Sequence, residues 1–129
     1  MLLRGKPGSG KSDLALRLID EGAGLVADDY TELAAKDGRL YATAPAAIQG
    51  LLEVRGVGVV QIGCVPRVHV AALFDLVALS DIERLPEPMR ETLCGIDIPR
   101  YCLHGFDASA TAKVRLALKA QMENLFHTG

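Results

Sequence analysis

Apolar residues recur along the chain in two rhythms, and the changes between them mark the elements. Leu14, Ala15, Leu16, Leu18 and Ile19 follow helical spacing, and Gly22 stands where a left-handed residue closes such a helix. Leu25-Val26-Ala27 is a short apolar run ending in Asp28-Asp29, which predicts a buried strand carrying two carboxylates to its C-terminal edge. Asp37-Gly38, with Thr31 to Ala35 before it and Leu40 to Thr43 after it, is the two-residue turn of a β-hairpin. Pro45 near the start of Ala44 to Leu52, with Ile48, Leu51 and Leu52 on one side, predicts a short helix.

Val57 to Ile62 is β-branched and apolar, as is Leu73 to Leu79, and both are expected to be interior strands, with Pro66 breaking the pattern between them. Leu85 to Pro88 is a loop, and Ile96 to Leu103 predicts a further strand from about Pro99. Ser109 to about Phe126 reads as a long helix capped by Ser109. Ala110, Val114, Ala117, Leu118 and Met122 are expected inward, and Lys113, Arg115 and Lys119 outward. Strands alternating with helices make an α/β chain.

Between the start and the first helix lies Gly5-Lys6-Pro7-Gly8-Ser9-Gly10-Lys11-Ser12. Glycine lets successive backbone N–H groups turn toward one point, where they and the helix N-terminus hold phosphate oxygens. In such a loop the lysine reaches the β- and γ-phosphates and the serine hydroxyl meets Mg²⁺, so ATP with magnesium is the expected ligand pair. A loop of this kind hangs from the end of a strand and only four residues precede Gly5, so the chain is expected to begin earlier than Met1. Phosphoryl transfer also needs carboxylates, one near the metal and one to take a proton from the attacking hydroxyl. Asp28 and Asp29 suit this, facing opposite ways if they continue a strand; the plainer alternative is a turn or a helix cap. Glu53 and Arg55 alternate with apolar residues, which puts them on one face of an extended segment, as site residues or as a surface ion pair.

With 129 residues, half of them apolar, there is enough for one core and one domain. A net charge of −2 provides no global field to gather nucleic acid or anionic lipid, and no apolar stretch reaches the ~20 residues of a membrane span. Cys64, Cys94 and Cys102 show no metal-ligand spacing and read as small buried hydrophobes in a reducing cytoplasm. His69 among valines reads as a packed residue, and His104 beside Gly105 as an ordinary loop residue, approach to the nucleotide or acceptor being the alternative.

Three stretches together resemble the catalytic domain of the HPr kinase/phosphorylase family: Gly5 to Ser12 with its helix, Leu25 to Asp29, and Leu52-Glu53-Val54-Arg55-Gly56-Val57-Gly58-Val59-Val60, the last similar to the family's signature sequence. Phe74-Asp75-Leu76-Val77 and Ile98-Pro99-Arg100 extend the resemblance over nearly the whole chain, toward the short single-domain bacterial forms. It implies a P-loop NTPase-like (PEP carboxykinase-like) core, with a buried mixed sheet, flanking helices and a long C-terminal helix. It also implies an ATP- and Mg²⁺-dependent serine kinase of the phosphocarrier HPr or an HPr-like carrier, with dephosphorylation as the reverse reaction. Such an enzyme is cytoplasmic, regulates carbohydrate metabolism through the phosphotransferase system and assembles as a hexamer.

Carried over by position, Gly5, Lys6, Pro7, Gly8, Ser9, Gly10, Lys11 and Ser12 bind the nucleotide, Ser12 and Glu53 hold Mg²⁺, and Asp29 accepts the proton with Asp28 in support. Arg84, in Ile82-Glu83-Arg84-Leu85, matches the family's catalytic arginine. The chain departs from the family twice. Neither His69, His104 nor His127 matches the histidine that precedes the family's glycine loop, and Leu103 to Ser109 replaces the arginine-bearing glycine loop of the reverse reaction. A P-loop kinase of small metabolites and a nucleotide-binding sensor are the alternative functions.

Overall fold

The computed structural model describes residues 1–28 and 30–127. Along these, the elements are β1 (Leu2–Gly5), α1 (Lys11–Asp20), β2 (Glu32–Lys36), β3 (Arg39–Thr43), β4 (Leu51–Val54), β5 (Gly58–Gln61), β6 (Arg67–His69), β7 (Leu73–Leu76), β8 (Met89–Leu93), β9 (Ile96–Leu103) and α2 (Ala110–Glu123). The central sheet has the order β1-β7-β9-β8, with β1, β7 and β9 parallel and β8 antiparallel to β9. Smaller sheets, β2-β3-β6 and β4-β5, stand beside it.

Alternation along the central strands sorts the core into two layers. Phe74 and Leu76 of β7, with Ala72 before it, bury against Leu14 and Leu18 of α1 and Ala110 and Val114 of α2. Leu73 and Ile98 point the other way and meet Leu40 and Ala42 of β3 and Val70. Each large side chain fully buried here contributes about 1.5–3 kcal/mol. The first helix ends as its glycine predicts. Gly22, at φ 108°, donates its N–H to the Ile19 carbonyl, and Ala23 donates to the Leu18 carbonyl, the two bonds of a Schellman cap. Asp37 and Gly38, at φ 53° and 76°, turn β2 into β3 as expected.

Where the same face of the central sheet runs past Leu2, Leu73 and Ile98, two residues on, it turns from apolar to charged. Asp75, buried at the centre, accepts from Arg4 Nε at 2.7 Å, Arg4 Nη2 at 2.9 Å and Arg100 Nε at 2.5 Å. Arg4 also donates to Glu91 at 2.7 Å. Burial pushes the Asp75 carboxyl up, but the hydrogen bonds and charges of Arg4 and Arg100 outweigh it and hold the group below its ordinary value.

Several expectations are corrected. Leu25–Ala27 forms no strand: Leu25 is buried, yet its carbonyl takes one bond, from Val65 N–H at 2.6 Å, too little for a ladder. Residues 44–52 do not form a helix; Ala46–Ile48 makes a single 3-10 turn, and Leu51 and Leu52 belong to β4. Residues 57–62 are not an interior strand, since β5 pairs only with β4 and leaves Val57 and Val59 exposed. Arg55 lies in the turn between those strands and shares no extended face with Glu53. Met122 faces outward at 80% exposure, Cys94 and His69 are exposed, and Cys64 and Cys102 are only half-buried. Two strands had no expectation, β6 just after Pro66 and β8, which reaches β9 through Cys94-Gly95, both at positive φ. No described helix is long and apolar enough to cross a membrane.

Because the Asp75 carboxyl sits low in the folded chain, its contribution to stability is complete above about pH 4 and is lost as pH falls through the lowered value. Replacement Asp75→Asn leaves Arg4 and Arg100 without their shared counter-charge and is expected to cost about 2–4 kcal/mol at pH 7 in urea unfolding. The same variant should flatten the acid limb of the stability curve, and Glu91→Gln should change it far less.

Candidate functional site

Strand β1 delivers Gly5 to the C-terminal edge of the parallel strands, where α/β sheets gather ligands. The chain then turns through Lys6 to Gly10 and enters α1 at Lys11. The turn requires its glycines. Gly8 and Gly10 stand at φ 82° and 92°, a region costly to residues with a Cβ. Ser9 donates its N–H to the Lys6 carbonyl at 3.0 Å, closing the loop on itself. Leu14 is the first residue of the helix, among those described, whose N–H finds a backbone carbonyl, that of Gly10 at 2.8 Å. The N–H groups of Lys11, Ser12 and Asp13 are the orphans of the helix start and bear its partial positive charge.

These features suit a phosphate. Around Gly8 even an added Cβ would meet nothing within 4 Å, so the loop is open there. Ser9 Oγ is buried with no hydrogen-bond partner, packed against Gly5 at the end of β1.

Lys11 and Asp28 line one cleft of about 210 Å³, together with Thr31 and with apolar walls from Leu2, Leu18 and Leu25. At its polar end Asp28 Oδ2 accepts the Glu53 backbone N–H at 3.0 Å, which ties the segment after Leu25 to β4. Lys11 and Asp28, distant in sequence, thus share one cleft, and Asp28 is tied to the backbone of Glu53, which is itself exposed, as is Ser12 in the first turn of α1. Asp29 lies outside the described residues. Arg84 is not brought to this cluster by any bond: it stands exposed in the loop before β8 and makes no ion pair or hydrogen bond among the described residues. No three His, Cys, Asp or Glu side chains cluster as a metal site among the described residues.

The structure adds partners that the sequence reading passed over. Arg17 of α1 donates to the carbonyls of Gly105 and Asp107, the latter at 3.1 Å, and its Nε meets Asp13 at 3.0 Å. A Cβ on Gly105 would stand 2.7 Å from the Ser9 carbonyl, and one on Gly10 would stand 3.2 Å from the Phe106 ring. The loop after β9 therefore rests directly on the glycine loop. Its one sequence signal was Gly105 beyond the end of a parallel strand; Arg17 showed only a helical i, i+4 pair with Asp13.

Residues 1–69 match the family described as the HPr serine kinase C-terminal domain. The HPr kinase/phosphorylase of Clostridium novyi is 48% identical over 62 residues, covering 48% of this chain and 20% of that protein. That of Leptothrix cholodnii is 37% identical over 120 residues, 80% of this chain and 36% of the relative. The chain thus spans about a fifth to a third of the length of these relatives. The solved structure of the Hpr(Ser) kinase/phosphatase from Coxiella burnetii superposes with a TM-score of 0.83 over 95% of this chain and 87% of that one, at 22% identity, a likeness of fold.

The Asp28 to Glu53 bond is checkable on its own. In Asp28→Ala the Glu53 amide loses its acceptor, and its hydrogen exchange should quicken by about tenfold, while the amides of β7 keep their protection.

Proposed function

Since the chain belongs to the HPr serine kinase C-terminal domain family, we propose that it transfers the γ-phosphoryl of ATP to a serine of HPr or an HPr-like phosphocarrier, on a P-loop NTPase-like core of the PEP carboxykinase type. One observation carries the reading: Lys11, the lysine of an open glycine loop, shares a cleft with the Asp28 carboxylate, itself bonded to the backbone at Glu53. A cation for phosphate and a carboxylate beside the proton acceptor share that cleft without neutralising each other by direct contact, and phosphoryl transfer needs both kinds of group.

In this reading the backbone N–H groups from Gly8 to Ser12 and the Lys11 ammonium hold the β- and γ-phosphates. The Ser12 hydroxyl and the Glu53 carboxylate, both hard oxygen donors, hold Mg²⁺, which when bound neutralises charge on the phosphates. The acceptor serine oxygen attacks the γ-phosphorus in line with the bond to the β,γ-bridging oxygen. As the new P–O bond forms and the old one breaks, the serine proton passes to Asp29 and ADP leaves. Asp28 steadies its neighbour, and Arg84 has the catalytic-arginine role by family resemblance alone. The protein is read as a cytoplasmic homo-oligomer, a hexamer by family resemblance.

Incubation with γ-labelled ATP, Mg²⁺ and the HPr-like carrier of the same organism is expected to label a carrier serine. Lys11→Ala should lower kcat/KM by about a thousandfold, and Asp29→Asn should lower kcat by about a hundredfold or more with ATP affinity kept. ATP bound without label on the carrier would contradict the kinase reading.

A further inference from the structure

The loop after β9 is fixed to the phosphate loop by backbone contacts, yet it holds one large side chain out to solvent. Gly105 is buried against the Ser9 carbonyl, and Arg17 fastens the carbonyls of Gly105 and Asp107. His104 Nδ1 lies 3.0 Å from the Val77 carbonyl, which can only accept, so the ring is anchored by a donated hydrogen. Phe106 is different: it remains 57% exposed. Its ring touches Gly10 and stands edge-on to His104, with ring centres 5.9 Å apart.

A single exposed apolar residue needs no explanation. This one is a flat ring held in place by anchored neighbours and in contact with a residue of the phosphate cradle. Strand β9 lies two places from β1 in the sheet, so its following loop sits beyond the same carboxyl edge that presents the glycine loop. Resting on the phosphate-loop reading above, we infer that Phe106, supported at its edge by His104, is the stacking surface for the base of the bound nucleotide. An aromatic ring offers a π-face that any base accepts, and a ring already fixed loses little freedom on binding. Phe106 touches Gly10, so one nucleotide spans both its base site and its phosphate site.

The test separates the base from the phosphates. The chain and its Phe106→Ala variant are titrated with ADP and with inorganic pyrophosphate. Loss of the ring should weaken ADP about tenfold and change pyrophosphate by less than about twofold. An unchanged ADP affinity, or an equal loss for both ligands, overturns the inference, the second because it makes the ring only a prop for Gly10.

The chain contains no tryptophan, so Phe106→Trp adds a sole indole reporter and guards against an alanine variant that folds poorly. Its emission should change with ADP and not with pyrophosphate; emission indifferent to bound ADP overturns the inference. Wild-type chain that binds pyrophosphate as tightly as ADP also overturns it. Binding of neither ligand removes the phosphate-loop reading itself, and the base site falls with it.

Discussion

Everything at the site hangs from a four-residue strand at the edge of a sheet, and one carboxylate ties that strand across to its neighbours. Among the described residues β1 pairs with β7 alone, which gives it a single ladder of backbone bonds. Asp75 adds the lateral hold, binding Arg4 of β1 through two nitrogens and Arg100 of β9 through a third. A buried charge pair of this kind is weak as a source of net stability but costly to break, because removal of one partner leaves the other uncompensated. Its position matters more than its energy: Arg4 is the residue before Gly5, so the ion pairs fix the point at which the glycine loop departs.

From that point the loop is shaped by contacts on two sides. On one, the left-handed glycines and the open start of α1 turn N–H groups toward a common space, with Lys11 and Asp28 lining the adjoining cleft. On the other, Gly105 and Phe106 close against Ser9 and Gly10 and are fastened by Arg17. Arg17 thus couples the helix that follows the glycine loop to the loop after β9.

The parts legible in the sequence are those whose signal is local. The glycine loop and its helix and the Asp37-Gly38 turn each carry their own pattern and appear as expected, while the apolar run from Leu73 makes a buried strand only as far as Leu76 and leaves Leu79 exposed in a 3-10 turn. The C-terminal helix was legible over most of its length, but it ends at Glu123 and not near Phe126, and Ser109 gives it no side-chain cap bond. Met122 is exposed although it follows the inward spacing, while its neighbour Gln121 meets Tyr101 of β9. The misses depend on what lies across from a segment. Val57 to Ile62 has the composition of a buried strand, but its only strand partner among the described residues is β4, and Val57, Val59 and Ile62 stay exposed. Leu25 is buried by α1 and the neighbouring loops instead of by strand pairing, and burial without a ladder looks the same in sequence. At the site, Lys11 and Ser12 were legible from loop spacing, but the meeting of Asp28 with Glu53 required the fold to bring residues 25 apart to bonding distance. Arg17 and Phe106 escaped for the same reason, their partners lying some 90 residues away.

Whether the glycine loop cradles phosphate is read from the backbone amide resonances of the whole chain as ADP is added. The amides of Gly8, Gly10, Lys11 and Ser12 are expected to shift together along one saturable curve, before and beyond any change in the distant β2–β3 hairpin. Shifts absent from those four amides, or spread evenly over the surface without saturation, would contradict the phosphate cradle.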